Sequence, residues 1–387
     1  MTVSTRRRFL RDSLTAAAGL TAFRLTSARA AIADFQLLDT RVISQQPEYY
    51  HGWPTVARRA DGELWVTCSG GRESHVCPFG QVVSMTSRDN GETWTYPRVL
   101  LDSALDDRDS GVLETARGTL LVTTITTLAY EAALAGQLSA ATWPAEKLAR
   151  WKAAHARLDD AGRKAELGQW LIRSTDGGRT WSARLPTVVN SPHGPIQLRD
   201  GRLLYAGKEL WTGGHRIGVC ESPDDGLTWR WLAEVPTRPG DDPAQDYHEL
   251  HAAEATDGRL VVHIRKENKA NDNETLQTES ADGGKTWSEP HTIGVWGHPS
   301  HLLRLRDGRL LMTCGHRRAP FGNQARLSED SGRTWSEPLP LSQDGASGDL
   351  GYPSTVELPD GRLLTVWYEL PKGGDKAVLR QARWRLA

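Results

Sequence analysis

The chain has 387 residues, which is enough for a large buried core, and length alone allows two or three domains. Its 47 basic and 48 acidic residues leave a formal net charge of −1, so the charge balance indicates neither a nucleic-acid partner nor a membrane-surface partner. Four cysteines are too few for a disulfide scaffold, and free buried thiols are favoured over a Cys68–Cys77 pair.

The N-terminus is typical of an export signal. Thr5–Arg11 carries consecutive arginines followed by Phe9 and Leu10, and the modest apolar run after it is too short for a membrane span. Ala28-Arg29-Ala30 is a small-x-small cleavage site. We therefore expect a Tat signal peptide over residues 1–30 and a periplasmic or secreted protein over residues 31–387, with a basic disordered tail as the alternative.

Five copies of the pattern Ser-x-Asp-x-Gly-x-Thr-Trp punctuate the chain. They occupy Ser87–Trp94, Ser174–Trp181, Ser222–Trp229, Ser280–Trp287 and Ser328–Trp335. Repetition at roughly 50 residues is typical of propellers and repeat arrays. In each copy Asp and Gly favour a turn, and we expect the Trp to pack back over that turn.

A second repeat alternates with the first. Short apolar, β-branched runs follow a turn dipeptide at six places: Asp61-Gly62, Arg117-Gly118, Asp200-Gly201, Asp257-Gly258, Asp307-Gly308 and Asp360-Gly361. Runs of this kind read as strands. Six strand units in phase with five Trp-bearing turns predict an all-β fold, a six-bladed β-propeller forming one domain, over the alternative of a β-sandwich.

The segment Tyr130–Gln169 differs from the repeats because it is rich in Ala, Leu, Lys, Arg and Glu. Leu148, Trp151, Ala154 and Leu158 follow at helical spacing. We expect a helical insertion within one blade, packed as a decoration or forming a rim over a pocket.

Polar clusters adjoin the strand signals at several equivalent points, which predicts a functional surface at one mouth of the central channel. They are Tyr50–Pro54, Gly71–Pro78, Asp106–Asp109, His193–Pro195, Tyr247–His251, His298–His301, His316–Arg318 and Gly351–Pro353. Asp106–Asp109 reads most simply as a turn carrying an ion pair.

At these residues the chain resembles the sialidase (neuraminidase) superfamily of BNR or Asp-box propellers, over nearly all of residues 45–385. The resemblance implies a sialidase-like fold and an exo-acting glycoside hydrolase for sialic acid or a related acidic sugar. It implies Tyr352 as the nucleophile, Glu249 as its base, Arg265 and Arg317 or Arg318 as a clamp on the substrate carboxylate, and Glu369 as a residue that orients an arginine.

The chain departs from the family pattern at two points. Gly52-Trp53-Pro54 stands where the family carries its first arginine, so Arg72 is the candidate to restore the clamp. The region where the family has its acidic proton donor holds no Asp, which leaves Glu73, His75 and Asp107 as candidate acids. We also expect His51, His193 and His248 to contribute to substrate binding.

Two alternatives remain open. A polysaccharide lyase on uronate-containing glycans would use Tyr or His as its base, and the many histidines favour it. A non-catalytic carbohydrate-binding propeller would use Trp53, Trp211 and Trp296 as stacking platforms.

No cofactor is expected, and the expected partner is a glycan. The pairs His248/His251 and His298/His301 have spacings that could place a divalent ion near His75. On a strand, however, residues i and i+3 point to opposite faces, which argues against that site. The sequence does not indicate an oligomeric state.

Overall fold

The computed structural model describes residues 35–211, 214–267 and 274–386. Within these residues, six antiparallel sheets of four or five strands follow one another along the chain. The predicted signal peptide lies outside these residues. The strands are β1 (Phe35–Val42), β2 (Tyr50–Arg58), β3 (Leu64–Arg72), β4 (Gln81–Ser87), β5 (Arg98–Leu101), β6 (Asp106–Arg108), β7 (Val112–Glu114), β8 (Leu120–Thr127), β9 (Gly168–Ser174), β10 (Leu185–Pro186), β11 (Ile196–Gln197), β12 (Leu203–Lys208), β13 (Ile217–Ser222), β14 (Arg230–Glu234), β15 (Tyr247–Glu254), β16 (Leu260–Lys266), β17 (Glu274–Ser280), β18 (His291–Trp296), β19 (Ser300–Arg304), β20 (Leu310–His316), β21 (Gly322–Ser328), β22 (Leu339–Ser342), β23 (Leu350–Glu357), β24 (Leu363–Glu369) and β25 (Val378–Leu386). The described helices are α1 (Tyr130–Ala140), α2 (Ala145–His155), α3 (Asp160–Glu166) and α4 (Pro243–Asp246). This confirms the predicted six-bladed propeller.

The first described strand closes the ring of blades. β1 pairs antiparallel with β25, from Phe35↔Leu386 to Val42↔Arg380, and so becomes the outermost strand of the last sheet. In the other five blades the third and fourth strands are joined by an Asp-box. The last blade needs no such connection, because its fourth strand comes from the other end of the chain. This is why six blades carry five boxes.

The turn dipeptides seen in the sequence join the innermost strand of each blade to its second strand. Gly62, Gly118, Gly201, Gly258, Gly308 and Gly361 all have φ between 77° and 94°. Only glycine adopts this backbone region without strain, which explains why the residue recurs in every blade.

The five Asp-boxes share one set of hydrogen bonds. In the fifth box, Ser328 Oγ donates to Asp330 Oδ1 (2.8 Å), Gly332 N donates to Ser328 Oγ (2.7 Å), and Thr334 N and Oγ1 donate to the two Asp330 oxygens (2.9 and 2.6 Å). Equivalent bonds occur in the other four boxes. Each box is therefore a self-contained polar turn.

The box tryptophans join neighbouring blades more than they cover their own turns. Trp94 Nε1 donates to Gln381 Oε1 (2.8 Å) in the last blade, and Trp335 Nε1 donates to Gln277 Oε1 (2.9 Å) in the preceding one. Trp287 returns to its own turn, at Gly284 O (3.0 Å).

The core lies between adjacent blades. Val66 and Met85 of the first full blade pack with Leu364 and Val366 of the last, all of them at most 2% exposed. All four cysteines are buried and free, as favoured from the sequence.

The helical insertion is confirmed as α1, α2 and α3, which connect β8 to β9 within the second blade. Trp151 and Tyr130 are buried at its centre beside Cys77 and Leu105. None of the helices in the described ranges has the length and apolar character needed to cross a membrane.

Replacing Asp330 by Ala should lower the free energy of unfolding by about 1–3 kcal/mol, because Ser328 and Thr334 would lose a shared charged acceptor. The measurement is urea denaturation followed by tryptophan fluorescence. Glu329→Ala is the matched control, since Glu329 makes no hydrogen bond or ion pair with the described residues. Equal stability of the two variants would show that the box hydrogen bonds do not stabilise the blade.

Candidate functional site

The innermost strand of several blades has an irregularity in its pairing close to its first residues. These irregularities lie near the same end of the central channel, which we call the site mouth. The pairing register shifts between Gly52 and Thr55 in β2, between Tyr247 and Leu250 in β15, and between Gly351 and Ser354 in β23. A bulge of this kind bends the strand and re-aims the side chains within it. The bulged residues are Trp53-Pro54, His248-Glu249 and Tyr352-Pro353.

The same level of the second blade is a gap between β6 and β7, and Asp109 lies in it. Trp53, Asp109 and Tyr352 have φ of 54°, 59° and 54°, an uncommon left-handed conformation for non-glycine residues. Residues held in this conformation cluster at functional sites. In three blades, therefore, a residue with left-handed backbone conformation lies at the site mouth.

Tyr352, Glu249 and Arg265, which we call the Tyr352 cluster, meet at the site mouth. The Tyr352 hydroxyl donates to Glu249 Oε1. Arg265 Nη1 donates to Glu249 Oε2 (2.5 Å) and to the Tyr352 hydroxyl oxygen (3.2 Å), while its Nη2 donates to Glu267. The structure thus brings together three predicted site residues from three strands of two blades.

Burial and charge set the protonation of the cluster. Burial and the Glu249 carboxylate raise the pKa of Tyr352 well above its usual value. Burial alone would raise the pKa of Glu249, but Arg265 and the Tyr352 hydrogen bond outweigh it and hold that pKa below the ordinary value. At neutral pH the cluster is therefore a neutral phenol hydrogen-bonded to an ionised carboxylate.

Asp109 is the acidic residue that sequence reasoning missed. Burial raises its pKa to about 7, with the Glu249 charge adding to the shift and Arg108 opposing it. Its charge in turn contributes to the raised pKa of Tyr352. No described residue donates a hydrogen bond to its carboxylate. The sequence carried a signal for this residue. Asp109 precedes the turn glycine of its blade by the same number of residues as Trp53 and Tyr352 precede theirs.

Asp107, the neighbouring candidate acid, is bound within its own blade. Its Oδ1 accepts from Thr126 Oγ1 (2.6 Å) and Ser103 Oγ (3.0 Å), and its Oδ2 accepts from Ser103 N (2.7 Å). The side chain is fully buried. These contacts give it a structural position behind the site mouth.

Arg72 does not face the channel as an open clamp. Its guanidinium binds Asp106 through two hydrogen bonds (2.5 and 3.2 Å), both side chains are fully buried, and Nη2 also donates to His75 O (3.0 Å). Trp53, 3% exposed, packs against the guanidinium groups of Arg72 and Arg108, whose central carbons lie 4.9 and 4.7 Å from its ring centroid. Trp53 is therefore part of the wall rather than an open stacking platform.

Asp349 organises a second polar group beside Trp53. It accepts from Tyr50 (2.9 Å) and Tyr368 (3.1 Å), and its Oδ1 lies 3.0 Å from His75 Nδ1. The His75 side chain is 47% exposed. Burial alone would raise the pKa of Asp349, but the contacts with His75 and the tyrosines lower it below the ordinary value.

Glu73, the other candidate acid, holds the helical insertion in place. Its Oε1 accepts from Arg150 (2.8 Å) and its Oε2 from Trp151 (2.9 Å), both on α2. These bonds orient the carboxylate towards the insertion and not towards the Tyr352 cluster.

The predicted arginine clamp is only partly assembled. Arg317 lies over the Tyr352 ring at 5.7 Å and donates from Nε to Leu350 O (2.8 Å), whereas Arg318 lies over Trp296 at 5.5 Å. Glu369 accepts from Arg380 Nη1 (2.5 Å) and Trp367 Nε1 (2.7 Å), so it orients Arg380 and not an arginine of the cluster.

The predicted histidines are distributed along the channel. His51 is buried in β2, and His248 contacts Gln245 O (2.9 Å) and approaches Glu267 (3.9 Å). His193 lies deeper in the channel, 6.3 Å from the Tyr352 ring. His251 and His301 join His193 there, away from His248 and His75. No group of His, Cys, Asp or Glu among the described residues has a geometry suited to a metal ion.

Two curated relatives are sialidases. The chain is 25% identical over 247 residues to a sialidase of Micromonospora viridifaciens, covering 53% of this chain and 35% of the relative. It is 23% identical over 261 residues to a sialidase of Paraclostridium sordellii, covering 62% of this chain and 57% of the relative. The chain thus spans between about a third and somewhat over half of the length of these relatives.

Solved structures share the architecture. A protein of unknown function from Dyadobacter fermentans matches with a TM-score of 0.74 at 23% identity, covering 91% of this chain and 99% of that one. A Hadza microbial sialidase matches with a TM-score of 0.62 at 19% identity, covering 86% and 65%. At these identities the likeness shows the fold alone.

The model of the BNR repeat-like domain family matches residues 140–365, which is more than half of the chain. That range contains four of the five Asp-boxes, Glu249, Arg265 and Tyr352. The chain belongs to the BNR repeat-like domain family and has the sialidase-like six-bladed propeller fold.

Proposed function

We propose that this protein is an exo-acting glycoside hydrolase for an acidic sugar, sialic acid or a related carboxylated sugar, with Tyr352 as its nucleophile. The observation that carries the proposal is the contact of Tyr352 with Glu249 and Arg265 at the site mouth. The distant sialidase relatives support the same class of reaction.

Nucleophilic attack would begin with proton transfer. Because the pKa of Tyr352 is raised, the phenol is not ionised in advance, and its proton passes to Glu249 as the phenolic oxygen bonds to the anomeric carbon. Arg265 donates to the same oxygen and stabilises negative charge on it. A neutral phenol approaches a carboxylated anomeric carbon with less repulsion than an Asp or Glu nucleophile would meet.

Asp109 is the proposed acid and base. With a pKa of about 7 it is protonated in part of the population at neutral pH and can protonate the leaving glycosidic oxygen as the C–O bond breaks. The resulting carboxylate then takes a proton from water, whose oxygen displaces Tyr352 from the sugar. The phenolic oxygen recovers its proton from Glu249, which restores the site.

Arg317 is the proposed partner of the substrate carboxylate. Its guanidinium lies over the Tyr352 ring, and its terminal nitrogens make no hydrogen bond with the described residues. A guanidinium matches a carboxylate with two parallel hydrogen bonds. Since Arg72 is occupied by Asp106, carboxylate recognition at this site depends on fewer arginines than the sequence predicted.

A lyase for uronate-containing glycans is the second candidate, and His75 favours it. With Nδ1 facing Asp349, the exposed ring could take the proton α to a uronate carboxylate as the C4–O4 bond to the leaving sugar breaks, and the imidazolium so formed could then give that proton to the leaving oxygen. The product would be an unsaturated uronate that absorbs in the ultraviolet, whereas hydrolysis gives a saturated sugar.

Tyr352→Phe should lower kcat for an aryl α-glycoside of sialic acid, or of another acidic sugar that the native protein cleaves, by roughly a thousandfold or more. The reason is that Phe keeps the ring but removes the attacking oxygen. The measurement is release of the aryl group, with ultraviolet absorbance of the glycan product followed in parallel. Tyr130→Phe, a buried tyrosine of the insertion, is the matched control and should keep native activity.

Retention of near-native turnover by Tyr352→Phe would contradict the hydrolase proposal. Loss of an unsaturated product in His75→Ala, with Tyr352→Phe still active, would favour the lyase. Absence of turnover on both substrate classes would leave a binding propeller.

Asp109→Asn should abolish cleavage of glycosides with poor leaving groups, while activated aryl glycosides, which need little protonation, still form the Tyr352 adduct. The native protein should lose activity as pH rises through about 7, because its acid deprotonates there. The measurement is the pH profile of kcat/KM with both substrate types. A native profile that stays flat from about pH 6 to about 8 with glycosides of poor leaving groups would remove Asp109 from the acid role.

The same variant has a stability readout that does not depend on substrate. A carboxyl whose pKa is raised in the folded state destabilises the fold once it ionises, so native stability falls as pH rises from the ordinary Asp pKa through about 7. Asp109→Asn should therefore raise Tm at pH values above about 7 and change it little below the ordinary Asp pKa, at about pH 3. Equal effects at both pH values would show that Asp109 is not held in its neutral form.

A further inference from the structure

A cavity of about 390 Å³ opens at the other end of the channel, which we call the opposite mouth. It is lined by the later residues of innermost strands, among them Thr55–Arg58, Val112–Glu114, Leu302–Arg304 and Thr355–Glu357. The bulges that form the site mouth lie at the other end of the same strands. The cavity is therefore separate from the Tyr352 cluster, and its size is near the lower end of the range for small-molecule pockets, about 300–1,000 Å³.

The floor of the cavity is a septum of three histidines across the channel: His193, His251 and His301. Their ring centroids lie 4.6 to 5.4 Å apart, and all three side chains are at least nine-tenths buried. Burial, together with the neighbouring imidazoles for His193 and His251, lowers their pKa values. The septum is uncharged at neutral pH.

The septum has hydrogen-bonding capacity that the described residues do not use. His193 Nε2 and His301 Nδ1 are buried without a partner among them. His251 Nδ1 accepts from Leu302 N (2.9 Å), so the proton of this neutral ring lies on Nε2, which is then a donor. That proton also prevents Nε2 from ligating a metal. Buried polar atoms of this kind are normally satisfied by water or by a ligand.

The rim carries an unbalanced positive charge. Glu114 pairs with Arg59 (2.9 Å) and Glu357 pairs with Arg306 (2.9 Å). Arg58 and Arg304 also line the cavity, and neither forms an ion pair with a described residue. Two uncompensated guanidinium groups at the entrance favour an anionic ligand.

We infer that the opposite mouth is a second ligand site, for an acidic sugar of one monosaccharide unit. Arg58 and Arg304 meet its carboxylate, and the imidazoles of the septum with Thr55 and Thr355 meet its hydroxyl groups. The apolar walls, including Val112, Leu302 and Val356, cover the carbon face of the ring. The site binds without chemistry, because the Tyr352 cluster lies on the other side of the septum.

Isothermal titration calorimetry on the full chain carrying Tyr352→Phe tests this site without turnover. The probes are D-glucuronate, D-glucose as its uncharged counterpart, and inorganic phosphate as a simple anion. Arg304→Gln and Arg58→Gln remove the rim charges, and Arg317→Gln reports on the site mouth. Arg230→Gln, a surface arginine 71% exposed on the outermost strand β14, is the matched control.

Glucuronate should bind, glucose should bind more weakly, and Arg304→Gln or Arg58→Gln should weaken glucuronate binding by roughly tenfold or more. Arg230→Gln should have no effect, and Arg317→Gln should leave this binding event in place. Glucuronate binding that is absent at millimolar concentration, or lost only in Arg317→Gln, would overturn the inference. Phosphate binding as tightly as glucuronate, with no binding of glucose, would overturn the assignment to a sugar. Failure here leaves the hydrolase proposal intact, since that proposal is tested by turnover.

Discussion

The hydrogen bond from Tyr352 to Glu249, with Arg265 donating to both partners, is the interaction on which the site mouth depends. It joins the fourth and the last blades of the ring. Glu249 and Arg265 face each other across one hairpin, so the carboxylate stays ionised in a partly buried position. A neutral phenol beside an ionised carboxylate is the arrangement that general-base activation requires.

The bulges convert a repetitive scaffold into a specific site. Each blade follows the same plan, with a glycine turn after the innermost strand, and a regular innermost strand would pair along its whole length. Register shifts at Trp53, Glu249 and Tyr352 instead release single side chains into the channel. The repeat therefore supplies stability through interblade packing, and its local irregularities supply the chemistry.

The sequence predicted the parts that depend on local signals. Asp-Gly turns and Asp-boxes define the blades, and the Tyr352, Glu249 and Arg265 motifs identified residues that the fold brings into contact. Ion pairs between residues of distant strands cannot be recognised from local sequence motifs. The engagement of Arg72 with Asp106 and of Glu73 with the insertion is visible only once the blades are packed. Asp109 was missed because the segment Asp106–Asp109 was interpreted as a turn carrying an ion pair. The raised pKa of Asp109 comes from its burial, which the sequence does not show.

A covalent bond between Tyr352 and the sugar is the most direct consequence of the proposed chemistry, and rapid-quench peptide mass spectrometry detects it. The Asp109→Asn variant is mixed with an activated aryl glycoside that the native protein cleaves, quenched in acid and digested. Without its base the variant should accumulate one glycosyl unit on the peptide that contains Tyr352. A glycosyl unit on Glu249 or another side chain, or release of the aryl group with no adduct at any time point, would contradict the tyrosine nucleophile.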